Sequence, residues 1–204
     1  MCCILRLLCY ISLVRFFDPK QPITKRRGQL PHWAQPGVTY FVTFRLADSL
    51  PEAKLRFLRE EKEVWMQNHP PPLSFDEREE FSRLFSGRFD HWLDQGHGQC
   101  VLGLAEPRRI TEESLRYFDK KRYNLGEFVV MPNHVHVLVT PFTSHPLEAV
   151  LQSWKSFTAH RINQCLGRTG QVWHRESFDH IARNRLQLEK FERYIRDNPK
   201  KWKA

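Results

Sequence analysis

β-type apolar patterning in two places along the chain frames its organisation. Tyr40-Phe-Val-Thr-Phe-Arg-Leu46 alternates as a strand, and Phe128–Met131 with His134–Thr140 reads as the two strands of a hairpin broken at Pro132-Asn133. Helical spacing takes over elsewhere. Glu52–Met66 is a charged amphipathic helix, and Pro70, Pro71 and Pro72 break the chain after it. Ser74–Asp94 predicts a further helical stretch interrupted near Gly87, Gln99–Leu104 a strand, and Thr111–Arg122 a helix capped by Thr111. Pro146 opens a long helix reaching about Cys165. At the C-terminal end Asn184-Arg-Leu-Gln187 has the form of a helix start, with Asn184 as cap and Gln187 reaching back, and Pro199 is expected to stop that helix. Strands interspersed with helices around a small antiparallel sheet predict an α+β sandwich of ferredoxin-like, RRM-like type, with a helical insertion at about 52–95 after the first strand.

The hairpin also carries chemistry. Successive strand residues face opposite ways, so His134 and His136 share one face while Val135 and Val137 share the other. Two imidazoles on one face make half a site for a divalent metal, although the same spacing also suits a hydrogen-bonded pair on an open sheet. On the C-terminal helix, Leu188, Phe191 and Ile195 form a core stripe flanked by Gln187, Tyr194 and Asn198. Tyr194 and Asn198 stand one turn apart, so a phenol and an amide oxygen project from one edge. A half-buried tyrosine and an asparagine near the helix end would also fit this spacing.

Charge narrows the partner. The 204 residues hold 32 Lys+Arg and 23 Asp+Glu, a net +9. From residue 150 onward there are 12 basic and 5 acidic residues, so +7 of that excess lies in the last quarter. Lys155, Arg161, Arg175, Arg183, Arg185, Arg193 and Arg196 are the candidate phosphate contacts, along with Arg168, Lys200 and Lys201. Trp154, Phe157, Trp173, Phe178 and Trp202 are interleaved with them, and Trp173 and Phe178 are the candidate stacking surfaces. Cations mixed with aromatic faces suit nucleic acid, single strands above all. Part of the pattern, Trp154 and Phe157 in particular, is accounted for by an aromatic core beneath a basic surface.

Four motifs in order carry a resemblance: Met131-Pro-Asn-His-Val-His-Val-Leu138, Ser153-Trp-Lys-Ser-Phe-Thr-Ala159, Val172-Trp-His-Arg-Glu-Ser-Phe-Asp-His180 and Tyr194-Ile-Arg-Asp-Asn-Pro199. With Gly37–Pro51 as a first strand and its exit, they make the chain resemble the REP-associated tyrosine transposases of the single-tyrosine HUH superfamily, over about Gly28 to Pro199. The resemblance implies that His134 and His136 are the paired histidines of the HUH motif. It implies further that Tyr194 is the nucleophile and that Asn198 completes a site for Mg²⁺ or Mn²⁺. Such an enzyme cleaves and rejoins single-stranded or hairpin DNA through a 5′-phosphotyrosine, as a monomer or homodimer. Many relatives continue past the position matching Pro199, so product release, hairpin recognition or dimer contacts are expected to differ here.

Two other functions share these residues. One is a single-stranded DNA-binding protein of the same fold that no longer cleaves. The other is a metal-dependent nuclease using the histidines with Asp179 or Glu176 and no covalent intermediate. Should the nucleophile lie elsewhere, Tyr117 and Tyr123 are the next phenols.

The remaining features bound the picture. The five cysteines, Cys2, Cys3, Cys9, Cys100 and Cys165, lack metal-binding spacing and read as free thiols of a cytoplasmic protein. The extension 1–22 opens with an apolar run of 17 residues interrupted by Arg6 and Arg15, which falls short of the roughly 20 needed to span a bilayer and is followed by no cleavage signature. It reads as a loose extension or a mis-set start, leaving 23–204 as a single domain that needs no membrane.

Overall fold

A computed structural model describes residues 14–22, 24–27, 31–70, 74–81, 84–85 and 87–201. Strands β1 (Thr24–Arg27) and β2 (Pro31–Ala34) form a small antiparallel hairpin that the apolar pattern does not announce. Strand β3 (Tyr40–Arg45) follows, then the helical insertion: α1 (Glu52–Asn68), α2 (Phe75–Phe81) and α3 (Gly87–Asp94). Helix α4 (Ala105–Tyr117) leads to β4 (Tyr123–Val130) and β5 (His134–Pro141). Helix α5 (Leu147–Cys165), β6 (Phe178–Ile181) and α6 (Arg185–Lys201) complete the chain. The main sheet is antiparallel in the order β4-β5-β3-β6. With the helices inserted between its strands this is the ferredoxin-like βαββαβ arrangement expected from the sequence.

Each face of that sheet has its own core. Val42 and Phe44 on β3, with Val135, Val137 and Val139 on β5, point to one face and pack with Ile110 and Leu115 of α4 and Trp154 and Ile162 of α5. Phe41 and Leu138 point to the other face and meet Leu188 and Ile195 of α6 in a second, smaller cluster. The two central strands are therefore buried on both sides, and this puts the polar residues of β5 inside the protein. Leu188 has no solvent-exposed surface and anchors α6 to the sheet. Leu188→Ala should lower stability by about 2–5 kcal/mol. It should also loosen the helix bearing Tyr194, read as a lower denaturant midpoint together with faster amide exchange along α6.

Several predicted boundaries move. Val101–Gly103 is a short 3₁₀ turn, not a strand, because Gly98 and Cys100 take left-handed backbone conformations that break the extended run. A Cβ at Gly98 would stand 2.5 Å from the carbonyl oxygen of Asp48, so only glycine fits there. Helix α4 begins six residues before Thr111. Pro107 sits in its first turn, where a missing N–H costs nothing, and the buried Thr111 hydroxyl donates back to the Pro107 carbonyl at 2.8 Å. Helix α6 runs through Pro199 to Lys201. The proline removes one bond in the last turn, while fully buried Ile195 and Asn198 hold the preceding turn in place. Ser74 caps α2, its hydroxyl accepting from Glu77 N–H while the Glu77 carboxylate accepts from Ser74 N–H.

The expected N-terminal extension lies largely outside the described residues, as do Pro71, Pro72, Trp202, Cys2, Cys3 and Cys9. Its described end is not loose but part of the fold. Val14 and Phe16 pack on the α6 side of the sheet and Phe17 on the opposite core, and Thr39 N–H donates to the Arg15 carbonyl at 2.8 Å. Val14, Phe16 and Phe17 thus use their apolar side chains to cover both cores. Cys100 and Cys165 are free thiols. Among the described residues no helix is long and apolar enough to cross a membrane.

His180 on β6 gives a stability prediction. Burial pushes its pKa down to about 4, with Asp179 opposing the shift and Arg183 adding to it. An imidazole lowered in the folded state binds its proton mainly in the unfolded chain, so stability should fall as pH drops from about 6.5 toward 4. The limit is roughly 1.4 kcal/mol per pH unit, less because the ring keeps some solvent contact. Thermal melts at pH 7 and pH 5 should show this loss, and His180→Leu should shrink it.

Candidate active site

His134 and His136 project from the α6 side of β5, while their neighbours Val135 and Val137 fill the main core. Cross-strand register sets Thr43 directly opposite His136 and Arg45 directly opposite His134. Both histidines have no solvent-exposed surface, and their Nε2 atoms stand 2.9 Å apart.

Each imidazole is held through its other nitrogen. The Asn133 amide nitrogen donates to the carbonyls of Leu93 and His97 at 3.1 and 3.2 Å, which leaves its oxygen to accept from His134 Nδ1–H at 2.7 Å. With the proton fixed on Nδ1, the neutral His134 ring presents a bare Nε2. Burial pushes the His134 pKa down to about 3, so the ring stays neutral. His136 Nδ1 lies 2.7 Å from the Thr43 hydroxyl, which can donate or accept and so tolerates either tautomer.

The C-terminal helix brings the phenol to this pair. Asn184 Oδ1 accepts from Gln187 N–H, and Gln187 Oε1 accepts from Arg183 N–H, both at 2.9 Å, fixing where α6 starts. Phe41 then acts as a platform: it stacks on Phe191 at 4.6 Å and on His136 at 5.5 Å, and meets the Tyr194 ring edge-on at 5.9 Å. The Tyr194 hydroxyl ends 3.4 Å from His136 Nε2. Helix α6 packs against β4 and β5 on the face that carries the histidines, so the constellation assembles within one protomer.

Two acidic residues of the insertion also approach. Asp94 Oδ1 lies 4.0 Å from His134 Nε2. Burial first, and then the charges of Asp90 and Asp94, hold the Tyr194 pKa well above the ordinary phenol value, with Asn198 favouring ionisation. The hydroxyl is protonated at neutral pH and needs help to become a nucleophile.

The donor set suits a hard or borderline cation. Two imidazole nitrogens 2.9 Å apart match the roughly 3 Å expected of neighbouring ligands around an octahedral ion at 2.0–2.1 Å. Asn198 is fully buried beside Tyr194, yet neither its Oδ1 nor its Nδ2 meets a partner at hydrogen-bonding geometry among the described residues. A buried amide left in that state is costly unless something else binds it. Among the described residues no three His, Cys, Asp or Glu side chains are grouped to hold a metal.

The other candidates divide. Arg161, Arg175, Arg183, Arg185, Arg193 and Arg196 are all exposed, and Arg185 pairs with Glu189 at 2.9 Å. Lys155 is not available to a phosphate: its ammonium donates to the carbonyls of His174 and Arg175 and to the Ser177 hydroxyl, using all three protons. Trp173 is not a stacking surface either. It is buried in the main core, its indole N–H donating to Thr158 at 2.8 Å and its ring edge-on to Phe44. Asp179 pairs with Val42 and so lies on the sheet face away from the histidines, which removes it from their chemistry. Tyr123 is a core phenol that donates to the Leu115 carbonyl and accepts from Trp154, and Tyr117 is largely exposed.

Residues 106–198, which include His134, His136, Tyr194 and Asn198, match the family described as transposase IS200-like. The structure of a REP-associated tyrosine transposase bound to a REP hairpin aligns at a TM-score of 0.51 and 14% identity, over 86% of this chain and 74% of that one. A "putative transposase" from Deinococcus radiodurans R1 aligns at 0.42 and 14%, over 86% and 97% of the two chains. None of the curated proteins matches. The resemblance to transposases therefore rests on a family match for the segment bearing the chemical residues and on a shared fold for most of the chain.

Proposed function

We propose that this chain, whose residues 106–198 are of the IS200-like transposase kind, is a DNA strand-transfer enzyme with Tyr194 as its nucleophile. The observation that carries this reading is the Tyr194 hydroxyl 3.4 Å from His136 Nε2, beside a second buried imidazole, inside one protomer. In the proposed reaction Tyr194 Oη attacks a phosphorus of single-stranded DNA. The Oη–P bond forms as the P–O3′ bond breaks, the phenol loses its proton, and the departing 3′ oxygen takes one up. The products are a 5′-phosphotyrosine and a free 3′-hydroxyl, and attack by another 3′-hydroxyl reverses the step and joins strands. His134, His136 and Asn198 would hold Mg²⁺ or Mn²⁺, which supplies electrostatic stabilisation of the phosphate and the leaving oxygen. Asn133 and Thr43 orient the two rings, as outer partners of metal-bound histidines do. Phe41 and Phe191 fix the Tyr194 ring so that attack needs little reorganisation.

The substrate form follows from what surrounds the site. The exposed arginines of α6 and of the segment leading into it offer phosphate contacts, and no phosphate-binding loop is present in the sequence to power strand opening. Single-stranded or hairpin DNA should therefore be cleaved and plain duplex left intact. Replacing Arg193 and Arg196 by glutamine should weaken binding and flatten its salt dependence, the slope falling by roughly 0.7 for each phosphate no longer neutralised. The protein incubated with a labelled single-stranded hairpin and Mn²⁺ tests the reading on a denaturing gel. A covalent protein–DNA band is expected. Free fragments alone would indicate a nuclease, and an unchanged strand a DNA-binding protein.

A further inference from the structure

Beside the histidines, on the same sheet face, lies a cavity of about 210 Å³ walled by the helical insertion. Thr43 belongs to both places, since its hydroxyl meets His136 and its side chain lines the cavity. The wall is aromatic: Phe81, Phe85 and Phe89 come from the insertion and Phe178 from β6. Such a volume falls below the roughly 300–1,000 Å³ of pockets that hold larger ligands, and it suits one flat ring system.

The cavity's charge is concentrated in one buried group. Arg59 pairs with Glu52 at 2.6 Å, and Lys62 lies over the Phe81 ring within the field of Glu176. Arg45 has no carboxylate at ion-pair distance among the described residues and is only 4% exposed. Burial pushes its pKa down to about 10, so it is still a cation. One of its terminal nitrogens donates to the Leu46 carbonyl at 3.3 Å and to the Ser49 hydroxyl at 3.1 Å. The other terminal nitrogen and Nε make no hydrogen bond among the described residues, while Phe89 covers the guanidinium at 5.8 Å. These two donors of the planar fork keep some accessible surface and so stay open to a ligand that offers adjacent acceptors.

We infer that this cavity takes one unpaired guanine of the substrate strand, stacked against the phenylalanines and bound through its O6 and N7 by Arg45. The inference rests on the strand-transfer reading and adds base selectivity to it. Guanine places two adjacent acceptors on one edge, the pattern a guanidinium fork reads, whereas adenine replaces one with a donor. A phosphate fits less well, because Glu52 and Glu176 share the cavity and its walls are apolar. A base extruded from the strand would stack there as flipped bases do in apolar pockets. Contiguity through Thr43 puts that base next to the phosphate attacked by Tyr194.

Binding without cleavage tests this. The Tyr194→Phe protein, without divalent cation, is titrated with fluorescent 15-mers of thymidine carrying one central guanine, adenine, cytosine or 7-deazaguanine. Guanine should bind about tenfold tighter than adenine or cytosine, within the discrimination of a good bidentate contact. The 7-deaza form should lose that preference, which needs no protein variant. Arg45→Lys should also erase it while keeping most affinity for the thymidine 15-mer. Equal affinity for all four oligonucleotides would overturn the inference, with a phosphate as the occupant, and leave the strand-transfer reading standing. A guanine preference that survives in Arg45→Lys would overturn it as well, by placing recognition elsewhere. Failure of every oligonucleotide to bind would overturn both readings.

Discussion

Tyr194→Phe should abolish the covalent protein–DNA adduct, lowering cleavage by more than about a thousandfold, while changing DNA affinity little. The substitution removes one oxygen and keeps the ring, so the edge-on contacts with Phe41 and His136 survive. The hydroxyl is held protonated by burial and by nearby carboxylates, so removing it costs no charge in the ground state. A gel assay for the adduct and a binding isotherm on the same preparation separate the two effects. If the adduct persisted in this variant, the nucleophile would lie elsewhere. Tyr117 is then the accessible alternative, because Tyr123 is enclosed in the core.

Replacing His134 and His136 together with alanine should also abolish cleavage while leaving most binding in place. The loss has a different origin, since the nucleophile stays and the groups that hold the cation go. Wild-type thermal stability should rise with Mn²⁺ concentration by mass action, and the double variant should show no such rise. The variant should also be less stable, because two filled positions in a fully buried strand become cavities and the Asn133 oxygen and Thr43 hydroxyl are left without their imidazoles. A variant that cleaves at the wild-type rate would show that the imidazoles serve packing alone.

Much of this site is legible in the sequence because its key spacings are local. Strand alternation alone puts His134 and His136 on one face, and helical periodicity alone puts Tyr194 and Asn198 on one edge. Similar local spacings set the order of strands and helices, and with it the ferredoxin-like sheet. Residues that act through long-range register are not legible. Thr43 reaches His136 only because β3 and β5 pair in one particular register, and Arg45 stands by His134 for the same reason. Asn133 reads as a turn residue, yet its amide is committed on one side to α3 and on the other to His134. Asp90 and Asp94 arrive from an insertion whose packing no local pattern encodes.

Errors in the other direction share one cause. Lys155 and Trp173 have the composition of a DNA contact, but composition does not reveal that hydrogen bonds inside the protein already occupy them. Thr111 and Pro199 carry the chemistry of a helix start and a helix stop, and packing overrides both.

In the proposed reaction Tyr194 becomes covalently joined to the 5′ phosphate of a cleaved strand. The direct measurement is mass spectrometry of the protein after reaction with a single-stranded hairpin and Mn²⁺, followed by digestion with protease and nuclease. A nucleotidyl-phosphate adduct is expected on the peptide containing Tyr194, localised to that residue by fragmentation. Cleaved DNA with every tyrosine peptide unmodified would contradict it.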